Sequence, residues 1–189
     1  MKRKLWILFL ATVLLAGAVL TVCSSDAVRL RWAIKRYQSV LDGELSEDLT
    51  LTIYYLPHYI LTRKPLTVEE LREMPDTVKI VVESDELECY LSTLRQLDSS
   101  AVQPAREEFG FNARVYYVFE TGNSEKLLEV VMQQFVGDSQ AFGAFVNGIP
   151  VEKNPILYEI LMPFLSAEEC EEIGIPEQDV SPNSPVPLE

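Results

Sequence analysis

Residues 113–148, ARVYYVFETGNSEKLLEVVMQQFVGDSQAFGAFVNG, decide how the chain folds. Across 113–121, Ala113, Val115, Tyr117 and Phe119 alternate with Arg114, Tyr116, Val118 and Glu120, the period-two pattern of a strand with two different faces. Gly122-Asn123 supplies a turn. Residues 126–135 repeat the alternation, with Leu128, Val130 and Met132 opposite Leu127, Glu129, Val131 and Gln133. Gly137-Asp138 turns the chain again into 141–147. There Asn147-Gly148 is the strongest hairpin signal in the sequence, because both central positions of a type I′ turn need positive φ. Three strands joined by short turns predict an antiparallel meander, and Val151 could begin a short returning strand.

Working outward, residues 49–56, LTLTIYYL, place Leu49, Leu51, Ile53 and Tyr55 on one face of a half-buried strand that Pro57 interrupts. Thr67 with Glu70 forms a capping box for a short helix whose apolar side is Leu71 and Met74. In 77–83, TVKIVVE, Val78, Ile80 and Val82 share one face and Val81 lies on the other, which predicts a central strand. Ser84 is expected to cap a helix with Asp85, Glu86 and Glu88 in its first turn. A stripe of Leu87, Tyr90, Leu91, Leu94 and Leu97 would lay that helix on the sheet. Residues 98–112 read as loop. After the meander, Asn154-Pro155 starts a helix, Pro163 splits it, Ser166 and Glu169 make a second capping box, and Gly174 ends the final helix. The expected fold is α+β: an antiparallel sheet of about five strands with helices packed on one face, spanning 49–174. Residues 175–189, rich in proline and without aromatics, are expected to be disordered.

The N-terminus decides the compartment. Lys2, Arg3 and Lys4 precede the uncharged run LWILFLATVLLAGAVLTV, whose anchoring residues are Leu5, Trp6, Ile7, Leu8, Phe9, Leu10, Leu14, Leu15, Val19, Leu20 and Val22. As a helix it reaches ~27 Å, close to the ~30 Å thickness of bilayer hydrocarbon. Residues 1–23 are therefore expected to be a membrane anchor or a signal segment. Ala16-Gly17-Ala18 and Ser25-Asp26-Ala27 both offer the small-residue spacing of a signal cleavage site. Leu20-Thr21-Val22-Cys23 resembles the bacterial lipobox, with branched Val22 where that family places a small residue. The resemblance implies lipid attachment at Cys23.

Residues 24–48 read as a juxtamembrane helix and linker. The helix covers 27–41, with Val28, Trp32, Ile34, Tyr37, Val40 and Leu41 apolar and Arg29, Arg31, Lys35 and Arg36 between them. Those basic residues would face anionic headgroups or water. Because the N-terminal basic cluster abuts the apolar run, the expected location is the cell membrane, single-pass, with the C-terminal domain extracytoplasmic. The alternatives are a secreted or a lipid-anchored protein. Basic start, apolar run and acidic body together resemble exported proteins of Gram-positive bacteria.

Charge excludes one class of partner. The net charge is −13, and removing Lys2, Arg3 and Lys4 leaves −16, a surface that repels phosphate backbones, so no nucleic acid is expected. From Val115 onward only Lys126 and Lys153 oppose thirteen acidic residues. Cys89 and Cys170 are the only cysteines beyond Cys23. Outside the cytoplasm a disulfide between them would close a long loop and stabilise by ~4 kcal/mol; the alternative is two separate buried thiols.

No residue pattern names a reaction. His58 is the only histidine, so no multi-histidine metal site can form and no serine hydrolase triad is evident. A Cys89–His58 dyad would need a thiolate, which the acid beside Cys89 opposes. Neighbouring acids such as Glu168, Glu169, Glu171 and Glu172 sit on one short helix and not across a cleft. No catalytic residue, metal or cofactor is assigned.

Aromatic residues are the remaining signal. Consecutive tyrosines point to opposite sheet faces. Tyr54 and Tyr116 would therefore suit contact with a protein or glycan if their face is open, and would be core if helices cover both faces. With Asn147 and Gly148 at the hairpin, they form the candidate interaction surface. The expectation is a membrane-anchored, non-catalytic domain that binds a protein or cell-envelope partner. Its rivals are a hydrolase using Cys89 or acidic residues, and an accessory subunit of a membrane complex.

Overall fold

The computed structural model describes residues 25–43, 48–106, 110–133, 143–152 and 154–175. The expected anchor from Leu5 to Val22, Cys23 and residues 176–189 of the expected tail lie outside them, while Ile175, expected to begin that tail, is buried in the main core. Among the described residues no helix is long and apolar enough to cross a membrane.

The chain runs α1 (Asp26–Leu41), β1 (Leu49–Tyr55), α2 (Val68–Glu73), β2 (Val78–Val82), α3 (Ser84–Glu88), α4 (Leu91–Leu94), β3 (Val115–Thr121), β4 (Lys126–Met132), β5 (Ala144–Val146) and β6 (Ile149–Val151). It ends with α5 (Ile156–Glu159), a 3₁₀ turn at Met162–Phe164 and α6 (Ala167–Ile173). The α+β class holds, and the sheet is a single antiparallel one in the order β2-β1-β3-β4-β5-β6. Among the described residues it has six strands where about five were expected, because the chain beyond Asn147-Gly148 returns as β6.

Local signals produce the expected ends. Both capping boxes form, Thr67 with Glu70 and Ser166 with Glu169. Gly174 closes α6 in the left-handed region at φ 84°, where a side chain would be strained. Ser84 departs from its expected role. Its hydroxyl exchanges hydrogen bonds with the backbone of Leu49, 3.1 Å to both N and O, and ties the start of α3 to β1 instead of capping it. The expected long helix over 84–97 is two short ones, with Leu87, Leu94 and Leu97 still buried.

One sheet face carries the main core. Leu51, Ile53 and Tyr55 of β1, Val115, Tyr117 and Phe119 of β3, and Leu128, Val130 and Met132 of β4 pack against α1, α3, α4, α5 and α6. A register shift between Phe119 and Glu120 lets Leu127 join Leu128 in this core, whereas strict alternation placed it opposite. The stem expected at α1 is in fact part of the domain. Leu30, Ile34, Tyr37, Val40 and Leu41 are all buried in the main core, while Trp32, expected on the apolar side, is 71% exposed.

Two further expectations are corrected. Strand β2 is an edge strand and not a central one: Val81 is 49% exposed, so its face is uncovered at that point. Nor are helices confined to one face. Leu66, Leu71 of α2 and the partly buried Ile60, Val68 and Met74 cover Tyr54, Tyr116, Val118 and Val131 on the second face.

Candidate functional site

The loop 57–66, PHYILTRKPL, follows β1 and crosses the second sheet face. Leu56 still donates to the Arg114 carbonyl at 2.9 Å, and the ladder then meets Pro57, which has no N–H to continue it. The loop carbonyls thus need other donors. Arg114 provides them: its Nη2 donates to Pro57 O at 3.2 Å and to Ile60 O at 2.6 Å. Arg114 as a residue is only 3% exposed, and burial pulls its pKa below the usual arginine value. Among the described residues its Nε has no hydrogen-bond partner.

Helix α6 holds the loop from the other side. The His58 amide donates to Glu172 O at 2.7 Å, and His58 Nδ1 lies 3.1 Å from the same oxygen. A carbonyl only accepts, so that ring contact requires the tautomer with its proton on Nδ1. The carboxylate of Glu172 receives two phenols, Tyr55 Oη at 2.8 Å and Tyr59 Oη at 3.0 Å. Both phenol pKa values are raised. For Tyr55 burial is the main cause, followed by the hydrogen bond to Glu172; for Tyr59 the bond to Glu172 comes first. At the far end, Leu66 N donates to Asn112 Oδ1 at 3.0 Å and Ala113 N donates to Leu66 O at 2.9 Å.

The result is a loop tied down at 57–60 and at Leu66 whose exposed side chains are mixed: Tyr59 and Leu61 stand out beside His58, Arg63 and Lys64. Leu61 is 88% exposed and Tyr59 is 62% exposed, while Ile60 and Leu66 turn inward onto the second core. Such an arrangement can present a fixed contact surface.

Tyr54 and Tyr116 do not form an open surface. They stack with centroids 6.0 Å apart, Tyr54 at 9% exposure and Tyr116 at 1%. Arg72 and Lys79 lie 5.2 and 5.5 Å from the Tyr54 ring centroid, and Lys126 lies 5.9 Å from that of Tyr116. The chain's own cations occupy these aromatic faces, and α2 with its preceding loop covers the pair. Asn147 and Gly148 form the expected turn, with φ of 48° and 75°. Asn147 also works inward: its Oδ1 accepts from Glu129 N at 2.8 Å and fastens the hairpin to β4.

Cys89 and Cys170 are separate free thiols, the second of the two alternatives, although neither is fully buried. Cys89 is exposed at the end of α3, its Sγ 3.7 Å from the Asp85 carbonyl, whereas Cys170 packs partly buried against the main core. Burial pushes the Cys170 thiol pKa up. His58 and Cys89 engage different elements, α6 for one and the first turn of α3 for the other. Among the described residues no group of three or more His, Cys, Asp or Glu is arranged to hold a metal ion.

By alternation alone 59–61 could either continue β1 or pass into a loop, and the structure makes it loop. Two signals mark it: prolines at both ends, Pro57 and Pro65, and Arg114 as a lone charge inside an apolar strand pattern. Comparison of the chain with protein-family models, with curated proteins and with solved structures finds no match.

Proposed function

We propose that this protein is a membrane-anchored, extracytoplasmic binding domain that holds a protein or cell-envelope partner through the loop 57–66 and performs no chemistry of its own. One observation carries the reading: the loop is tied down by Arg114, Asn112 and Glu172 while Leu61 and Tyr59 stay exposed. Large apolar side chains exposed on a solvated, acidic protein lose contact with water when a partner covers them. A loop already fixed in one conformation loses little entropy on binding, so more of that gain appears as affinity. Leu61 and Tyr59 offer apolar area that a protein partner can cover, and exposed Arg63 and Lys64 beside them can meet its acidic groups. Anchoring rests on the apolar run from Leu5 to Val22 and the basic residues before it.

The test is a photo-crosslinking amino acid placed at Leu61 in the full-length chain, in membranes of the native host. A discrete adduct that is absent when the probe sits at exposed Gly148 supports the reading. Equal, diffuse labelling from both positions contradicts it.

A further inference from the structure

Helix α1 carries Arg29, Arg31, Lys35 and Arg36 against a single acid, Asp26, for a net charge of +3. From Gly43 onward the chain carries nine basic and 27 acidic residues, net −18. This helix is therefore net positive on a body that is otherwise strongly net negative. Packing fixes which way it points, because Leu30, Ile34, Tyr37 and Leu41 are buried in the main core, and Arg29, Arg31, Trp32, Lys35 and Arg36 are left exposed. At 100° per residue Arg31, Lys35, Trp32, Arg36 and Arg29 fall in that order along one arc, with the indole in the middle. Two of the cations are paired, Arg29 with Asp26 at 3.3 Å and Arg36 with Glu125 at 2.6 Å. Arg31 and Lys35, the two flanking one side of Trp32, have no ion-pair partner among the described residues.

A solvent-facing tryptophan 71% exposed among cations, on a body of opposite charge, is a composition suited to a bilayer surface. Indole rings favour the headgroup level, and Lys and Arg are drawn to anionic lipid. Position agrees, since α1 begins four residues after the apolar run ends at Val22. We infer that the outer face of α1 lies on anionic lipid headgroups, with Trp32 seated at headgroup depth and Arg31 and Lys35 holding phosphates. Because the other side of the same helix is core, this contact sets the orientation of the whole domain over the membrane. The inference rests on the anchoring proposed above.

Trp6→Phe leaves Trp32 as the one tryptophan of the chain. The full-length variant is reconstituted into vesicles of phosphatidylcholine alone or of phosphatidylcholine with phosphatidylglycerol. Each vesicle preparation is tested for flotation and for quenching of Trp32 by a headgroup spin-labelled lipid. Expected are flotation in both lipids, and a blue shift and quenching of Trp32 only with phosphatidylglycerol. Both optical effects should be lost in high salt and in the doubly substituted R31E/K35E chain, which alters only exposed side chains. Flotation with a Trp32 signal identical in both lipids overturns the headgroup contact and leaves the anchor standing. A chain that does not float overturns the anchor, and this inference with it.

Discussion

The Tyr59 hydroxyl donates to Oε1 of Glu172 at 3.0 Å, joining the loop after β1 to the last helix across 113 residues of chain. The bond is made by the neutral phenol, and the carboxylate it points at opposes ionisation. Tyr55 shares that carboxylate and is further held neutral by burial. Both phenols therefore keep their protons in the folded state beyond the ordinary tyrosine pKa of ~10. For a group whose folded pKa is raised, the linked stability is complete below the unfolded value and is lost as pH rises through the folded one. Stability should accordingly be flat across neutral pH with respect to these groups and fall in the alkaline range above ~10. Glu172→Gln removes the charge that opposes ionisation of Tyr59. Its phenolate absorbance should emerge at lower pH than in the unsubstituted protein, and an unchanged titration would refute the coupling.

Arg114 is the second fastening. Replacing it with methionine preserves much of the side-chain volume, removes both donors to Pro57 O and Ile60 O, and relieves the desolvated charge. Hydrogen bonds from charged groups contribute ~1.5–3 kcal/mol each, and loss of the unpaired, desolvated Nε offsets part of that. Net destabilisation of about 1–3 kcal/mol follows from these terms. Amide exchange should quicken at Ile60, whose N–H bonds to Pro57 O, and at Ala113, which bonds to Leu66 O, before any change in β3 or β4. Uniform loosening of the whole sheet would mean that Arg114 holds the core rather than the loop.

The integration of α1 is tested by a pair of substitutions two residues apart. Ile34→Ala opens a cavity at a fully buried site and should cost about 2–5 kcal/mol. Trp32→Ala removes an exposed side chain and should change stability by no more than ~0.5 kcal/mol. A helix serving only as a stem would show little effect from either.

At the β5–β6 hairpin, Gly148 holds φ at 75°, and the space where a Cβ would sit is empty. Gly148→Ala therefore tests backbone strain alone, expected at ~1–2 kcal/mol in thermal or urea unfolding. A neutral outcome would show that the turn relaxes at no cost.

The features legible in the sequence were those set by neighbours in the chain. Asn147-Gly148, the two capping boxes and Gly174 each act through hydrogen bonds or φ values within a few residues, and all appear where the spacing puts them. What was not legible depends on distant segments. Val81 suggested a covered second face, yet β2 lies at the sheet edge, and position in a sheet is decided by pairing partners. Tyr54 and Tyr116 alternate correctly, but their burial depends on a loop and a helix that alternation within β1 and β3 cannot reveal. The same holds for the candidate loop, since Arg114 and Glu172 lie 54 and 113 residues from the groups they hold, Ile60 and Tyr59.

The proposed placement of a folded domain at the far side of a membrane can be probed directly through Cys89, whose thiol is exposed and not in a disulfide. Intact cells are treated with a membrane-impermeant maleimide, and the full-length protein is then recovered from carbonate-washed membranes, with Cys89→Ser as the control. The account predicts a membrane-bound chain labelled in intact cells, with the label lost in the control. Labelling of Cys89 only after lysis, or recovery of the intact chain in the soluble fraction, would contradict it.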